Sequence, residues 1–291
     1  MAINLDHRHK PLDGDLLLTA ACPIECDFCV YSCEAEKEPE KWMPEKTIRR
    51  VAEQYSKNGI GIRIGGGEPF YDLEKLRNCI KILMEYYKPN ELLIITSGFF
   101  GADKENANKH LNAIKGFGFD TLIISADRFH LKRVPLKNIE NIIECCKELG
   151  IEPVLRISID SDSYEFIDKI TEIIAKNKAS IEVHDWGSFG RAEKLDKNPL
   201  GNFTKDQEYF FSKLKEFAGK FNAPLDPRFY LAHTAKRSQN KYASDFFPTT
   251  FPNGNVYGCS MTMKGSYLGN INKEDLSDMM VKWKEHFAGK P

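Results

Sequence analysis

Four of the eight cysteines in this 291-residue chain fall close together, at Cys22, Cys26, Cys29 and Cys33. Scattered cysteines suit the disulfides of small secreted chains, whereas a tight cluster in a longer chain points to metal binding or catalysis. In Cys22-Pro-Ile-Glu-Cys26-Asp-Phe-Cys29 three thiolates can converge on one soft metal site from a single loop. Thiolates favour zinc or iron–sulfur clusters over hard ions. A structural zinc ion normally takes four protein ligands, and Cys33 or a histidine could supply the fourth. Three ligands instead leave a cluster with one iron free to bind a small molecule.

A second segment able to do chemistry is Arg63-Ile64-Gly65-Gly66-Gly67-Glu68-Pro69. Glycines let the backbone approach a ligand closely and reach positive φ, and Glu68 or nearby carbonyls can accept from an ammonium group. Polar side chains also recur at strand period on otherwise apolar runs. Ser125 and Asp127 share one face, with His130 just beyond; Arg156, Ser158 and Asp160 share another, and Glu182 and His184 a third. Polar faces on apolar strands suit a barrel that holds a ligand. Arg156 offers a bidentate fork for a carboxylate or another anion. Asp127 and His130 are the catalytic candidates on the substrate side, His130 as a proton shuttle.

The elements that position these residues follow from the hydrophobic period. Short apolar runs at Leu16–Ala20, Gly61–Ile64, Leu92–Thr96, Thr121–Ser125, Val154–Ile159 and Ile181–His184 read as buried parallel strands. Between them apolar residues recur at helical spacing: Ile48, Val51, Ala52 and Tyr55; then Leu136, Ile139, Ile142, Ile143, Cys146 and Leu149; then Ile167, Ile170, Ile173 and Ile174. Six βα units in succession imply an α/β fold, a parallel sheet with right-handed crossovers partly closed into a (β/α)6 barrel. The cysteine loop would follow the first strand, at the sheet end that carries chemistry in such barrels. The alternation fades near residue 190. Residues 1–205 are expected to form the barrel. Residues 206–291 would form a smaller extension, with a helix over Asp206–Phe221 and a turn at Asn253-Gly254 between short strands. Glu34–Lys41 reads as a solvated connector, Cys79 and Cys146 as core, and Cys145 as incidental.

The cysteine spacing, with Phe28 just before Cys29, resembles the cluster loop of radical S-adenosylmethionine (SAM) enzymes. Gly65-Gly66-Gly67-Glu68-Pro69 resembles that superfamily's Gly-Gly-Glu-Pro segment, which in relatives contacts the amino group of the SAM methionine. The resemblance implies a [4Fe–4S] cluster on Cys22, Cys26 and Cys29, with SAM chelating the open iron. Reductive cleavage of SAM would then yield a 5′-deoxyadenosyl radical that abstracts hydrogen from the substrate. It also implies SAM contacts from Gly66, Gly67, Glu68, Pro69, Ser97, Ser125, Arg156, Gly190 and Arg191. Cys33 is not expected to be a ligand, because a fourth thiolate would block SAM.

Gly190-Arg191-Ala192 and the stretch from Pro252 to Cys259 resemble segments of peptide-modifying members. The latter departs from their pattern, because no cysteine follows Cys259 and an auxiliary cluster cannot be assembled there. Cys259 could instead give a hydrogen atom to a substrate radical, or be a small buried residue. The resemblance favours a peptide substrate, with a sugar, nucleoside or amino acid as the alternative and a zinc-binding interaction protein as the reading outside catalysis. A reductant such as flavodoxin or ferredoxin is implied. The net charge of −1 gives no electrostatic reason to expect nucleic acid or an anionic membrane. No apolar run approaches a membrane span, and the N-terminus lacks a secretory pattern. The expected compartment is the cytoplasm.

Overall fold

The computed structural model describes residues 12–36, 39–158, 163–184, 190–194, 203–220, 230–231, 246–258 and 266–287. The six apolar runs form β1 (Leu12–Thr19), β2 (Ile60–Gly66), β3 (Leu92–Thr96), β4 (Thr121–Ser125), β5 (Glu152–Ser158) and β6 (Ser180–His184). They pair in sequence order and all in parallel. The first strand begins earlier than its apolar run. Its polar half, Leu12–Asp15, is held by pairing with Ile60–Arg63 on β2, so backbone hydrogen bonds extend it where hydrophobicity does not.

The crossovers α1 (Glu45–Lys57), α2 (Leu73–Leu83), α3 (Lys104–Lys115), the short α4 (Arg128–Leu131), α5 (Leu136–Glu148) and α6 (Tyr164–Asn177) link successive strands. Each of the three periodic stripes is buried: Ile48, Val51, Ala52 and Tyr55 on α1; Ile139, Ile142, Ile143 and Cys146 on α5; Ile167, Ile170, Ile173 and Ile174 on α6. Cys145 is fully buried too, with its thiol aimed at the Lys104 carbonyl. It is core rather than incidental, because α5 packs on both the sheet and α3.

The sheet is strongly curled. In a flat sheet β2 and β6 would lie about 19 Å apart, four interstrand spacings. Yet Arg63 Nη1 on β2 lies 3.8 Å from Glu182 Oε1 on β6. Only a barrel-like curl brings those side chains together across the interior.

Helix α7 (Phe203–Lys220) packs on α6, and β7 (Tyr230–Leu231) continues the parallel sheet beyond β6. At the opposite edge β8 (Thr249–Thr250) runs parallel to β1, and β9 (Asn255–Tyr257) and β10 (Tyr267–Asn270) follow antiparallel. The turn at Asn253-Gly254 joins β8 to β9. Helix α8 (Leu276–Phe287) closes this part. Side chains from α1 fasten it: Arg50 bonds the Ile271 carbonyl and Asp275, Gln54 accepts from the Leu276 amide, and the Tyr55 hydroxyl meets Thr250 Oγ1 at 2.8 Å. Among the described residues no helix is long and apolar enough to cross a membrane.

Trp283 of α8 is 1% exposed, lies against Gly258 and sits 6.2 Å from the Phe246 ring. Trp283→Ala should cost about 3–5 kcal/mol and lower the urea midpoint of anaerobic unfolding. An unchanged midpoint would mean that the C-terminal helix contributes nothing to the fold.

Candidate active site

The loop after β1 is closed at its base by backbone hydrogen bonds. Cys22 N donates to Glu34 O, Glu34 N to Ala20 O and Ala20 N to Lys41 O. The Glu34–Lys41 stretch therefore does more than connect. Its ends lock the cysteine loop, and the Lys41–Glu34 ion pair at 2.9 Å reinforces the lock on the exposed side. Cys22, Cys26, Cys29 and Cys33 all line one cavity of about 170 Å³ at the C-terminal ends of the strands. Burial, with the Glu68 charge nearby, pushes the Cys22 thiol up to about 12. A hydrogen bond from Cys33, outweighing burial, draws Cys29 down to about 6. The Cys33 amide also points at Cys29 Sγ, 3.4 Å away. Cys33 itself is pushed well up by that hydrogen bond and by burial.

The loop after β2 docks onto the cysteine loop. Gly67 N donates to Thr19 O at 2.6 Å and Glu68 N to Ala21 O at 2.8 Å. A side chain at Gly67 would collide with the Ala21 carbonyl, so this approach requires glycine. Gly65, Gly66 and Gly67 line the cavity; Glu68 and Pro69 do not. The fully buried Glu68 carboxylate instead accepts from Phe70 N, Thr96 Oγ1, Ser97 N and Ser97 Oγ. With four donors on its two oxygens it ties the end of β3 to the β2 loop, although burial still raises its pKa. Thus the groups of this segment that face the cavity are glycine backbone, and Ser97 contributes to the cavity lining while its hydroxyl hydrogen serves Glu68.

Asp127 caps α4, accepting from Phe129 N and His130 N, and its carboxylate also contacts His130 Nδ1 at 2.9 Å. His130 also lines the cavity, together with Cys26. Burial opposes its protonation, but the charges of Asp127 and Cys26 prevail and raise its pKa well above the usual value. Phe28 stacks on Phe129 at 4.3 Å and meets His130 edge-on at 5.2 Å. The pair expected on the substrate side lines the cavity, and His130 also packs against Phe28 of the cysteine loop.

Arg156 meets Glu182 in a bidentate pair, Nε and Nη2 each 2.9 Å from a carboxylate oxygen. Its charge is compensated within the protein. Arg63 pairs with Asp15 at 3.0 Å and reaches Glu182; burial works against its charge, but the two carboxylates outweigh it and raise its pKa. Asp15 and Arg63 were not among the candidates. Extending the alternation of β1 back from Leu17 would have placed Asp15 on the interior face.

Gly190 and Arg191 reach the cysteine loop from the far side of the barrel. A Cβ at Gly190 (φ +56°) would lie 2.7 Å from the carbonyls of Cys29 and Val30. Arg191 N donates to Cys29 O at 3.0 Å, and its Nε to Cys26 O at 2.9 Å. Its Nη2 is buried without a hydrogen-bond partner among the described residues. An unpaired guanidinium nitrogen beside three thiols is an anion site, and it fits a negatively charged thiolate cluster or a carboxylate. Asp160, Cys259 and the side chain of His184 lie outside the described residues.

The sequence matches the model of the radical SAM superfamily over residues 16–160, which contain the cysteine loop, the glycine loop and β1–β5. The chain belongs to the radical SAM superfamily, and is an enzyme whose cofactors are SAM and a [4Fe–4S] cluster. Among solved structures it is similar to BtrN in complex with AdoMet and 2-DOIA, with TM-score 0.47 and 16% identity over 95% of this chain and 87% of that one. It is also similar to methylornithine synthase (PylB), with TM-score 0.47 and 17% identity over 71% and 64%. A third is the radical SAM methyltransferase TsrM from Kitasatospora setae, with TM-score 0.39 and 15% identity over 62% and 37%. No curated protein matches the sequence.

Two outcomes follow from the geometry. In cluster-free protein, iodoacetamide should label Cys29 at a rate that rises through pH 6 and levels above it, because the thiolate is the nucleophile. Cys22 should label at least about tenfold more slowly at pH 7; equal rates by peptide mass mapping would contradict the assigned environments. Glu68→Gln turns one acceptor into a donor facing donors, and should cost about 2–3 kcal/mol in thermal unfolding.

Proposed function

We propose that this enzyme holds its [4Fe–4S] cluster on Cys22, Cys26 and Cys29, and abstracts hydrogen from a small polar molecule bound inside the barrel. One observation carries the reading: the three cysteines, the glycines of residues 65–67 and Arg191, whose buried Nη2 has no hydrogen-bond partner among the described residues, all line a single cavity. Among the described residues no three cysteine, histidine or carboxylate side chains close around a point, as a single metal ion requires. That favours a cluster, whose ligands stand further apart, over structural zinc.

When bound, the cluster and SAM supply a carbon-centred radical able to take hydrogen from an unactivated C–H bond. The protein's part is positioning and exclusion. Carbonyls of the glycine segment would accept from the ammonium of the SAM methionine, and Arg191 would be the residue to meet its carboxylate. His130, oriented by Asp127, packs edge-on against Phe28 of the cysteine loop. Leu17, Ile24, Phe28 and Ile95 line the cavity and keep water from the reacting centre.

A small substrate is favoured over a peptide by the floor of the barrel, where Asp15, Arg63, Glu182 and Arg156 join across the interior. The peptide alternative leans on Gly190-Arg191-Ala192 and on Cys259, and Gly190 and Arg191 are already engaged in clamping the cysteine loop. We take residues 1–205 as the catalytic unit and 206–291 as a buttress that lengthens its sheet. Turnover needs a one-electron reductant, which we assign to a flavodoxin or ferredoxin, and the oxygen-sensitive thiolates suit the cytoplasm.

Anaerobic reconstitution with iron and sulfide should give a brown protein that forms 5′-deoxyadenosine from SAM once reduced, and a Cys22/Cys26/Cys29 triple alanine variant should lose both properties. A colourless zinc protein that leaves SAM intact would overturn the proposal.

A further inference from the structure

The cysteine loop reaches the surface beside α4. Asp27, between Cys26 and Cys29, keeps 48% of its side chain exposed, and the Phe129 ring of α4 stacks on Phe28 next to it. The run from Arg128 to Lys137 that carries α4 holds Arg128, Lys132, Arg133 and Lys137 and not one carboxylate. Asp127, just before it, is buried and turned to the α4 amides. Lys132 and Arg133 are half exposed and share Asp27, at 3.7 and 3.4 Å. Arg128 lies over the Phe129 ring at 4.0 Å. Cations therefore outnumber carboxylates beside the loop, in a chain whose net charge is −1. Phe129 and Val134 bury the other side of the segment, and Arg133 N and Val134 N donate to the His130 carbonyl, so these cations stand on a fixed platform.

Stability gives no reason for that concentration. Exposed ion pairs contribute little, and like charges gathered on one surface repel. A partner gives a reason. A cluster on the cysteine loop must be reduced by another protein, and electron tunnelling weakens steeply with distance. The donor must therefore dock where the loop comes to the surface. Electron-transfer complexes have small interfaces, so charge more than buried area decides how often partners meet in the right orientation. Flavodoxins are acidic proteins, and a basic patch beside Asp27 is the surface that matches them.

Resting on the radical SAM reading above, we propose that Arg128, Lys132 and Arg133, beside the exposed side of the cysteine loop, form the docking surface for an acidic one-electron carrier protein of the flavodoxin class. One electron passes from the carrier's reduced flavin to the cluster, whose charge falls by one unit, and no covalent bond is made or broken.

The probe is a bacterial flavodoxin. Its oxidised form, fluorescently labelled, is titrated with anaerobic holoenzyme and followed by anisotropy. Its reduced form then drives 5′-deoxyadenosine formation beside titanium(III) citrate, a small donor that needs no docking surface. Lys132→Gln/Arg133→Gln should raise the flavodoxin Kd at least about fivefold at about 0.05 M salt, with the gap closing toward about 0.5 M. It should slow flavodoxin-driven turnover and leave titanium-driven turnover at the wild-type rate. Asp27→Asn removes the shared carboxylate but keeps the cations, and should bind flavodoxin at least as tightly as wild type. No binding to wild type, an unchanged Kd in the double variant, or a Kd raised equally by Asp27→Asn would overturn the inference, the last by tracing the effect to the broken ion pairs. If wild-type protein forms no 5′-deoxyadenosine even with titanium(III) citrate, the enzyme reading has failed. If it does, yet the double variant binds flavodoxin as wild type does, only the docking surface has failed.

Discussion

A curled parallel sheet turns one face of every strand toward a shared interior, and polar groups placed there must neutralise one another. This chain meets that constraint with a line of four charges contributed by four strands: Asp15 on β1, Arg63 on β2, Glu182 on β6 and Arg156 on β5. Neighbouring strands supply two of the pairs, and the Arg63–Glu182 contact spans the barrel. Buried ion pairs contribute little net stability once desolvation is counted, but removing one member leaves an uncompensated charge at a cost of several kcal/mol. The line therefore holds the curl in one arrangement, and the cavity above it keeps a fixed floor.

That fixed curvature lets three distant segments meet over the first strand's loop. From β2, the glycine turn presses its backbone on Thr19 and Ala21; from the end of β4, α4 brings Phe129 and His130 against Phe28; from beyond β6, Gly190 and Arg191 meet the carbonyls of Cys29 and Cys26. Each contact depends on a residue with no freedom to vary in size or donor geometry. A methyl group at Gly67, for example, would collide with the Ala21 carbonyl.

The division of labour among the acidic residues follows from burial. Glu68 and Asp127 are the most enclosed carboxylates near the site, 0% and 1% exposed, and both are surrounded by donors. An enclosed carboxylate is tolerable only when its lone pairs are met, so these two act as internal acceptors that fix loops. The cavity itself is lined by the glycine backbone of residues 65–67, by Ser125 and Ser158, and by Asp127, His130, Arg156 and Arg191.

The sequence alone determined the local features. Cysteine spacing, the Gly-Gly-Glu-Pro run and the helical stripes on α1, α5 and α6 are visible in one dimension, because each depends on near neighbours and on a period. Six strands and their order followed from the same periods. What only the tertiary structure decided is where each polar group points and what it meets. Arg156 looked available for an anion and is engaged by Glu182; Glu68 looked like an ammonium acceptor and is occupied by Thr96 and Ser97; Asp127 and His130 line the cavity and are hydrogen-bonded to each other. Asp15 was missed altogether, and Arg63 was named only as the first residue of the glycine segment. These partnerships join residues as far apart as Arg63 and Glu182, 119 positions along the chain (182 − 63), across a curled sheet, and no period in a sequence encodes the curvature that brings them within reach.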